Sequence, residues 1–109
     1  MNDRDALLRA LGFSARAGSM IFGVTQICEA LSKKKKDGKY PLLVVEAADT
    51  SENTHKRITD RCSYYNVKHV RIDVTTDMLA TALGKSASLA AVALTDENLC
   101  RLAEKHLNT

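Results

Sequence analysis

LLVVEAADTSENTHKRITDRCSYY, residues 42–65, is the stretch that decides the fold. Its first six residues, Leu42-Leu43-Val44-Val45-Glu46-Ala47, are nearly all apolar, the pattern of a strand covered on both faces. Asp49, Thr50 and Ser51 then offer side-chain oxygens to the unpaired N–H groups of a helix start. Inside that helix His55, Ile58, Cys62 and Tyr65 recur at the spacing of one helix face. A buried strand therefore runs straight into an amphipathic helix, and the rest of the chain reads as further copies of that unit.

Upstream, Asn2 or Asp3 is placed to cap a first helix carrying Leu7, Leu8 and Leu11 on one face, and Gly18 ends it. Met20-Ile21-Phe22 predicts a short strand. Gly23 opens a second helix, whose Val24, Ile27, Cys28 and Leu31 form a buried stripe. Thr25, Gln26 and Glu29 share its open face. That helix frays through Lys33 to Lys36, Asp37-Gly38 turns the chain, and Tyr40-Pro41 resets it to extended backbone. Downstream, Asn66 stops the central helix. Val70, Ile72 and Val74 alternate with His69, Arg71 and Asp73, a strand with one wet face or one near a sheet edge. Thr75 or Thr76 caps a short helix bearing Met78, Leu79, Ala82 and Leu83, which Gly84 closes. Leu89 to Leu94 is a second buried strand, and Thr95 or Asp96 caps a last helix with Leu99, Cys100, Ala103, His106 and Leu107 inward. Alternating strands and helices predict an α/β fold, three layers with helices on both faces of a small, mostly parallel or mixed four-stranded sheet.

Composition narrows the class. At 109 residues, with 45% hydrophobic and 27% charged side chains, the chain predicts one globular domain spanning residues 1–109. The net charge of +3 is uneven: residues 1–40 hold eight basic against four acidic residues, whereas residues 76–109 hold three against four. A basic first third suits an anionic partner. Cys28, Cys62 and Cys100 are widely spaced and each sits on an apolar helix face, as small core residues in a reducing compartment would. No apolar run reaches membrane-spanning length, so no membrane partner is expected and a cytoplasmic protein is.

Enzyme chemistry finds little to stand on. The five glycines are scattered, with neither a dinucleotide fingerprint nor a P-loop. His55, His69 and His106 each stand alone in sequence, and metal-ligand spacing is absent, so neither metal nor cofactor is expected. Asp49, Glu52 and Asp60 are within reach of one another, though capping and surface charge explain them more simply. The lysine run is either a solvated helix end or a set of phosphate contacts, which would give affinity without sequence choice. The Gly23-Val24-Thr25-Gln26 turn is more pointed. It sets a helix N-terminus, which attracts anions, beside side chains able to hydrogen-bond base edges or a ribose hydroxyl.

With these residues placed, the chain resembles the kink-turn RNA-binding superfamily of ribosomal proteins, the L-seven-Ae type, and within it the small bacterial YlxQ branch. The markers are Ala17-Gly18 with Gly23 five residues on, Ala47-Ala48-Asp49-Thr50-Ser51-Glu52-Asn53-Thr54, Cys62-Ser63-Tyr64-Tyr65-Asn66-Val67, Leu83-Gly84-Lys85 and Ala91 to Asp96. The resemblance implies a three-layer αβα sandwich that grips sharply bent RNA between two walls. Carried over, Gly23, Val24, Thr25, Gln26 and Glu29 stand at the first wall, with Lys33 a turn beyond. Lys85, Ser86, Ala87, Ser88 and Leu89 stand at the second, and Asp49 and Thr50 lie between. Three positions depart from the family's Gly-x-Asn-Glu-x-x-Lys pattern: Thr25 replaces Asn, Gln26 replaces Glu, and Glu29 replaces Lys, reversing the charge where a phosphate would sit.

The expected function is therefore a non-catalytic, monomeric RNA-binding protein acting on structured RNA, such as ribosomal RNA at the ribosome. A protein-interaction module that kept the fold and lost the RNA site is the alternative, and Glu29 is its best support.

Overall fold

The computed structural model describes residues 3–33 and 40–107. Nine elements follow in order: α1 (Asp3–Arg16), β1 (Met20–Phe22), α2 (Val24–Ser32), β2 (Leu43–Glu46), α3 (Glu52–Tyr64), β3 (Lys68–Arg71), α4 (Thr76–Ala82), β4 (Ala91–Leu94) and α5 (Glu97–Leu107). The expected Asn2 cap and most of the lysine run, Lys34 to Lys36 with Asp37-Gly38, lie outside the described residues. Asp3 is already the first residue of α1.

The strands form one sheet in the order β1-β4-β2-β3. Only β2 and β3 are parallel, joined through α3, while β4 runs antiparallel to both β1 and β2. The mixed sheet is thus the form realised. β4 enters between β1 and β2, so the two strands that read as apolar but for Glu46 occupy the centre, and every residue of both is buried. β3 is an edge strand, and its alternating pattern has that cause.

Strand periodicity sorts the core into two layers. Leu43 and Val45 of β2 join Val92 and Leu94 of β4 beneath α1, α4 and α5, with Leu7, Leu11, Leu79 and Ala103. Val44 points the other way and joins Ala91, Ala93, Ile27, Leu31, Ile58 and Cys62 beneath α2 and α3. Each fully buried leucine contributes on the order of 1.5–3 kcal/mol. All three cysteines are free and buried, the role their helix faces implied.

Three boundaries differ from expectation. β3 stops at Arg71 because the Val74 N–H turns back onto the Ile72 carbonyl (2.9 Å), leaving Ile72 and Val74 buried beyond the strand. β4 starts at Ala91, not Leu89, whose N–H donates to the Thr76 carbonyl (3.2 Å). On α4 the buried face is Leu79, Ala80 and Leu83, and Met78 is exposed; one residue of rotation, about 100°, separates it from Leu79.

Candidate functional site

One end of the sheet collects most of the expected site residues, while Glu29 lies further along α2 and Lys33 caps its far end. Antiparallel pairing of β1 with β4 sets Phe22 opposite Val92, so the end of β1 meets the start of β4. The next residue in chain order, Gly23, donates its N–H to the Ala91 carbonyl at 3.0 Å. That bond fixes the α2 start to the strand entered from loop 85–89. Lys85 Nζ stands 4.1 Å from the centroid of the Phe22 ring, a cation–π contact tying the loop to β1. Between them, Ala47 donates to the Ala90 carbonyl at 2.9 Å, which brings the Ala47–Thr50 turn to the same end. Segments 23–26, 47–50 and 85–89 are therefore neighbours.

Their chemistry follows from the local backbone. Gly23 has φ 91 and ψ 150, a region closed to side-chain-bearing residues, and gives α2 no side-chain cap. By contrast Ser51 accepts from Thr54 N–H, Thr75 from Met78 N–H, and Asp96 from Leu99 N–H at the starts of α3, α4 and α5. The first N–H groups of α2 thus receive no side-chain cap from the residue before them, at a helix end where the dipole favours negative charge. Thr25, Gln26, Glu29 and Lys33 are exposed, Val24 is half-buried, and Lys85, Ser86, Ala87 and Ser88 are exposed beside a half-buried Leu89. Asp49 does not serve α3, as its position suggested. Its carboxylate accepts from the Thr76 N–H at 2.7 Å and so closes the start of α4 alongside Thr75.

Sequence separation concealed a second feature. Glu46, the last residue of β2, shares the α3-facing side of the sheet with Val44 and is fully buried. Parallel register pairs Val44 with His69 and Glu46 with Arg71, setting both β3 side chains on that same side. His55, one turn into α3, arrives from above. The carboxylate accepts from His69 Nε2 at 2.7 Å, from His55 Nδ1 at 2.8 and 2.9 Å, and from the Thr50 hydroxyl. Arg71 Nε lies 3.7 Å from Oε2. Burial alone would raise the pKa of Glu46, but the hydrogen bonds from Thr50, His55 and His69 outweigh it and hold the carboxyl below its ordinary value. His55 and His69, isolated in sequence, are thus partners of one acid. The available signal was the lone charge in an apolar strand, which burial obliges to find donors.

Glu46, His55 and His69 are the right donor types for a transition metal, and their ligand atoms lie within 4.8 Å of one another. The spacing argues for hydrogen bonds instead. Ligands around tetrahedral zinc, with bonds of about 2.0–2.1 Å, stand roughly 3.3 Å apart. Both imidazoles approach Oε1 more closely than that, and a guanidinium lies alongside. Nor does the acid face an opening where a substrate would meet it, since Glu46 has no exposed surface. Among the described residues no helix is long and apolar enough to cross a membrane.

Comparison with known proteins agrees with this architecture. The sequence profile of the ribosomal protein L7Ae/L30e/S12e/Gadd45 family matches residues 5–103. The chain is 30% identical over 87 residues to the RNA-binding protein YlxQ of Bacillus subtilis (strain 168), covering 80% of each. Its fold matches that of a Bacillus halodurans protein of unknown function with a TM-score of 0.81 at 24% identity, over 94% of this chain and 97% of that one. It also matches the Giardia lamblia 15.5kD RNA binding protein with a TM-score of 0.74 at 18% identity, over 96% and 84%.

Proposed function

Because the chain belongs to the ribosomal protein L7Ae/L30e/S12e/Gadd45 family, we propose that it is a non-catalytic protein that binds structured, kink-turn-type RNA. It acts as a single-domain monomer in the cytoplasm, in association with the ribosome or translation. Gly23, Val24, Thr25, Gln26 and Glu29 form one wall of the notch and Lys85, Ser86, Ala87, Ser88 and Leu89 the other. Asp49 and Thr50 form the floor, and Lys33 adds positive charge beyond the first wall.

The observation that carries this reading is the 3.0 Å bond from Gly23 N–H to the Ala91 carbonyl, which sets an uncapped helix start beside the 85–89 loop. An uncapped N-terminus offers backbone donors to phosphate. Thr25 and Gln26 beside it present groups that both donate and accept, suited to base edges and ribose hydroxyls. On the opposite wall Lys85 supplies charge, and the small Ser86-Ala87-Ser88 run leaves room for an extruded base.

Glu29 sets the test. A carboxylate about 4 Å from a phosphate costs between ~1 and ~4 kcal/mol, depending on screening. Glu29→Lys turns that repulsion into attraction, so a gel-shift titration with a kink-turn hairpin should show affinity rising about tenfold or more. Unchanged affinity would remove α2 from the interface. No RNA retention by either protein, even at low salt, would point to a protein partner instead.

A further inference from the structure

We infer that Arg71, anchored on the buried Glu46, is a positioning residue for the floor of the notch and acts by shaping the Ala47–Thr50 turn, not by touching RNA. The inference rests on the RNA-binding reading above. Arg71 Nε donates to the Ala47 carbonyl at 3.3 Å, and the same guanidinium donates through one terminal nitrogen to the Thr50 carbonyl at 3.4 Å and the Thr50 hydroxyl oxygen at 3.2 Å. One side chain thus bridges the first and last residues of a four-residue turn. The Thr50 hydroxyl accepts from Arg71 and donates to Glu46, so its proton has one direction. Glu46 is held in turn by His55 from α3 and His69 from β3.

The middle of the turn is held from another side. Ala48 N–H donates to the Val74 carbonyl at 2.7 Å, and Asp49 accepts from Thr76. Those bonds fix residue 48 to the β3–α4 connection and residue 49 to the first residue of α4, but leave the exit at Thr50 to Arg71 and Glu46. A floor fixed before RNA arrives need not be ordered on binding, and loosening it lowers affinity without removing an RNA contact. The guanidinium is already turned toward two carbonyls, a hydroxyl and a carboxylate, which argues against a phosphate role.

The two roles separate in salt. A lost phosphate contact lowers the slope of log affinity against log salt by about 0.7–0.9, whereas a lost positioning contact leaves it unchanged. A fluorescent kink-turn hairpin carrying tandem sheared G·A pairs is titrated at about 50 and 200 mM salt with wild type, Arg71→Lys, Arg71→Met and Glu46→Gln. Lys keeps a cation near Glu46 but lacks the planar fork that spans both carbonyls. All measurements are made well below the melting temperature, with folding checked by circular dichroism. Arg71→Lys, on an exposed edge strand, remains informative if Glu46→Gln does not fold. Cys100→Ala, in the other core layer, controls for lost stability alone.

Each folded Arg71 or Glu46 variant should lose about tenfold in affinity with the wild-type salt slope, while Cys100→Ala binds as wild type. Amide hydrogen exchange at Ala48, whose N–H is held by the Val74 carbonyl, should quicken in the Arg71 variants as the turn around it loosens. Folded variants with wild-type affinity overturn the inference, as does a slope reduced by about one contact in Arg71→Met. Either result leaves the RNA reading standing. A wild type that binds no RNA overturns both.

Discussion

Replacing Glu46 by Gln keeps the shape of the buried side chain and removes its charge. In the native protein two carboxylate oxygens serve His55, His69, Thr50 and, at 3.7 Å, Arg71. An amide offers one acceptor oxygen, and its NH2 is satisfied only where the Thr50 hydroxyl turns or an imidazole switches tautomer to accept. At least one charge-assisted hydrogen bond is lost, about 1.5–3 kcal/mol. The Arg71 pairing is partly open to solvent and adds no more than about 1 kcal/mol. The expected loss is therefore about 2–4 kcal/mol, a drop in melting temperature of roughly 10 °C or more for a domain this small. The sign of the pH dependence follows from the lowered pKa of Glu46, whose ordinary value is 4.5. A depressed acid contributes its full stability above the unfolded-state pKa and loses it as pH falls through the folded one. Urea unfolding of both proteins should show a constant gap from neutral pH to about 4.5, closing below it. A Gln variant as stable as wild type, or a gap that widens in acid, would refute the reasoning.

Other consequences are open to simpler checks. At Gly23 a methyl would have room, 3.6 Å from Gln26 Oε1, but not the backbone conformation, so Gly23→Ala should destabilise by about 1–3 kcal/mol in denaturant unfolding. Ser51→Ala removes the cap that accepts from Thr54 N–H and should cost about 1 kcal/mol; no change would mean that water replaces it fully. Burial pushes the Cys62 and Cys100 thiols up to about 11, so both should resist iodoacetamide at mildly alkaline pH until the protein unfolds. Rapid alkylation of either in the native protein would contradict their placement in the core.

Local rules carried most of the fold. Positive φ at Gly18, Asn66 and Gly84 marks the three helix stops that residue type alone suggested, and positive φ at Gly23 marks the expected start of α2. Ser51, Thr75 and Asp96 cap the helices they precede. Strand pairing was less legible, because no local pattern says that β4 inserts between β1 and β2 and reverses direction there. The Glu46 cluster is the clearest case. Its members lie 9 and 23 residues from Glu46 in sequence and meet only through the β2–β3 register and the docking of α3. Spacing along the chain points Asp49 to the start of α3, while the folded turn aims it at Thr76. The segments carried over from the family resemblance do meet at one sheet end, for a reason the sequence shows only in part. Phe22 and Ala91 are far apart in the chain, and antiparallel pairing alone brings Gly23 and the 85–89 loop together.

The most direct test titrates the unmodified chain against two RNAs of equal length and composition, one folding into a kink-turn and one a continuous duplex, at low and moderate salt. Recognition in the notch between the α2 start and the 85–89 loop predicts tighter binding to the bent RNA, with the preference persisting as salt rises. Equal affinity for the two, vanishing together with added salt, would mean general attraction to phosphate and no shape-reading notch.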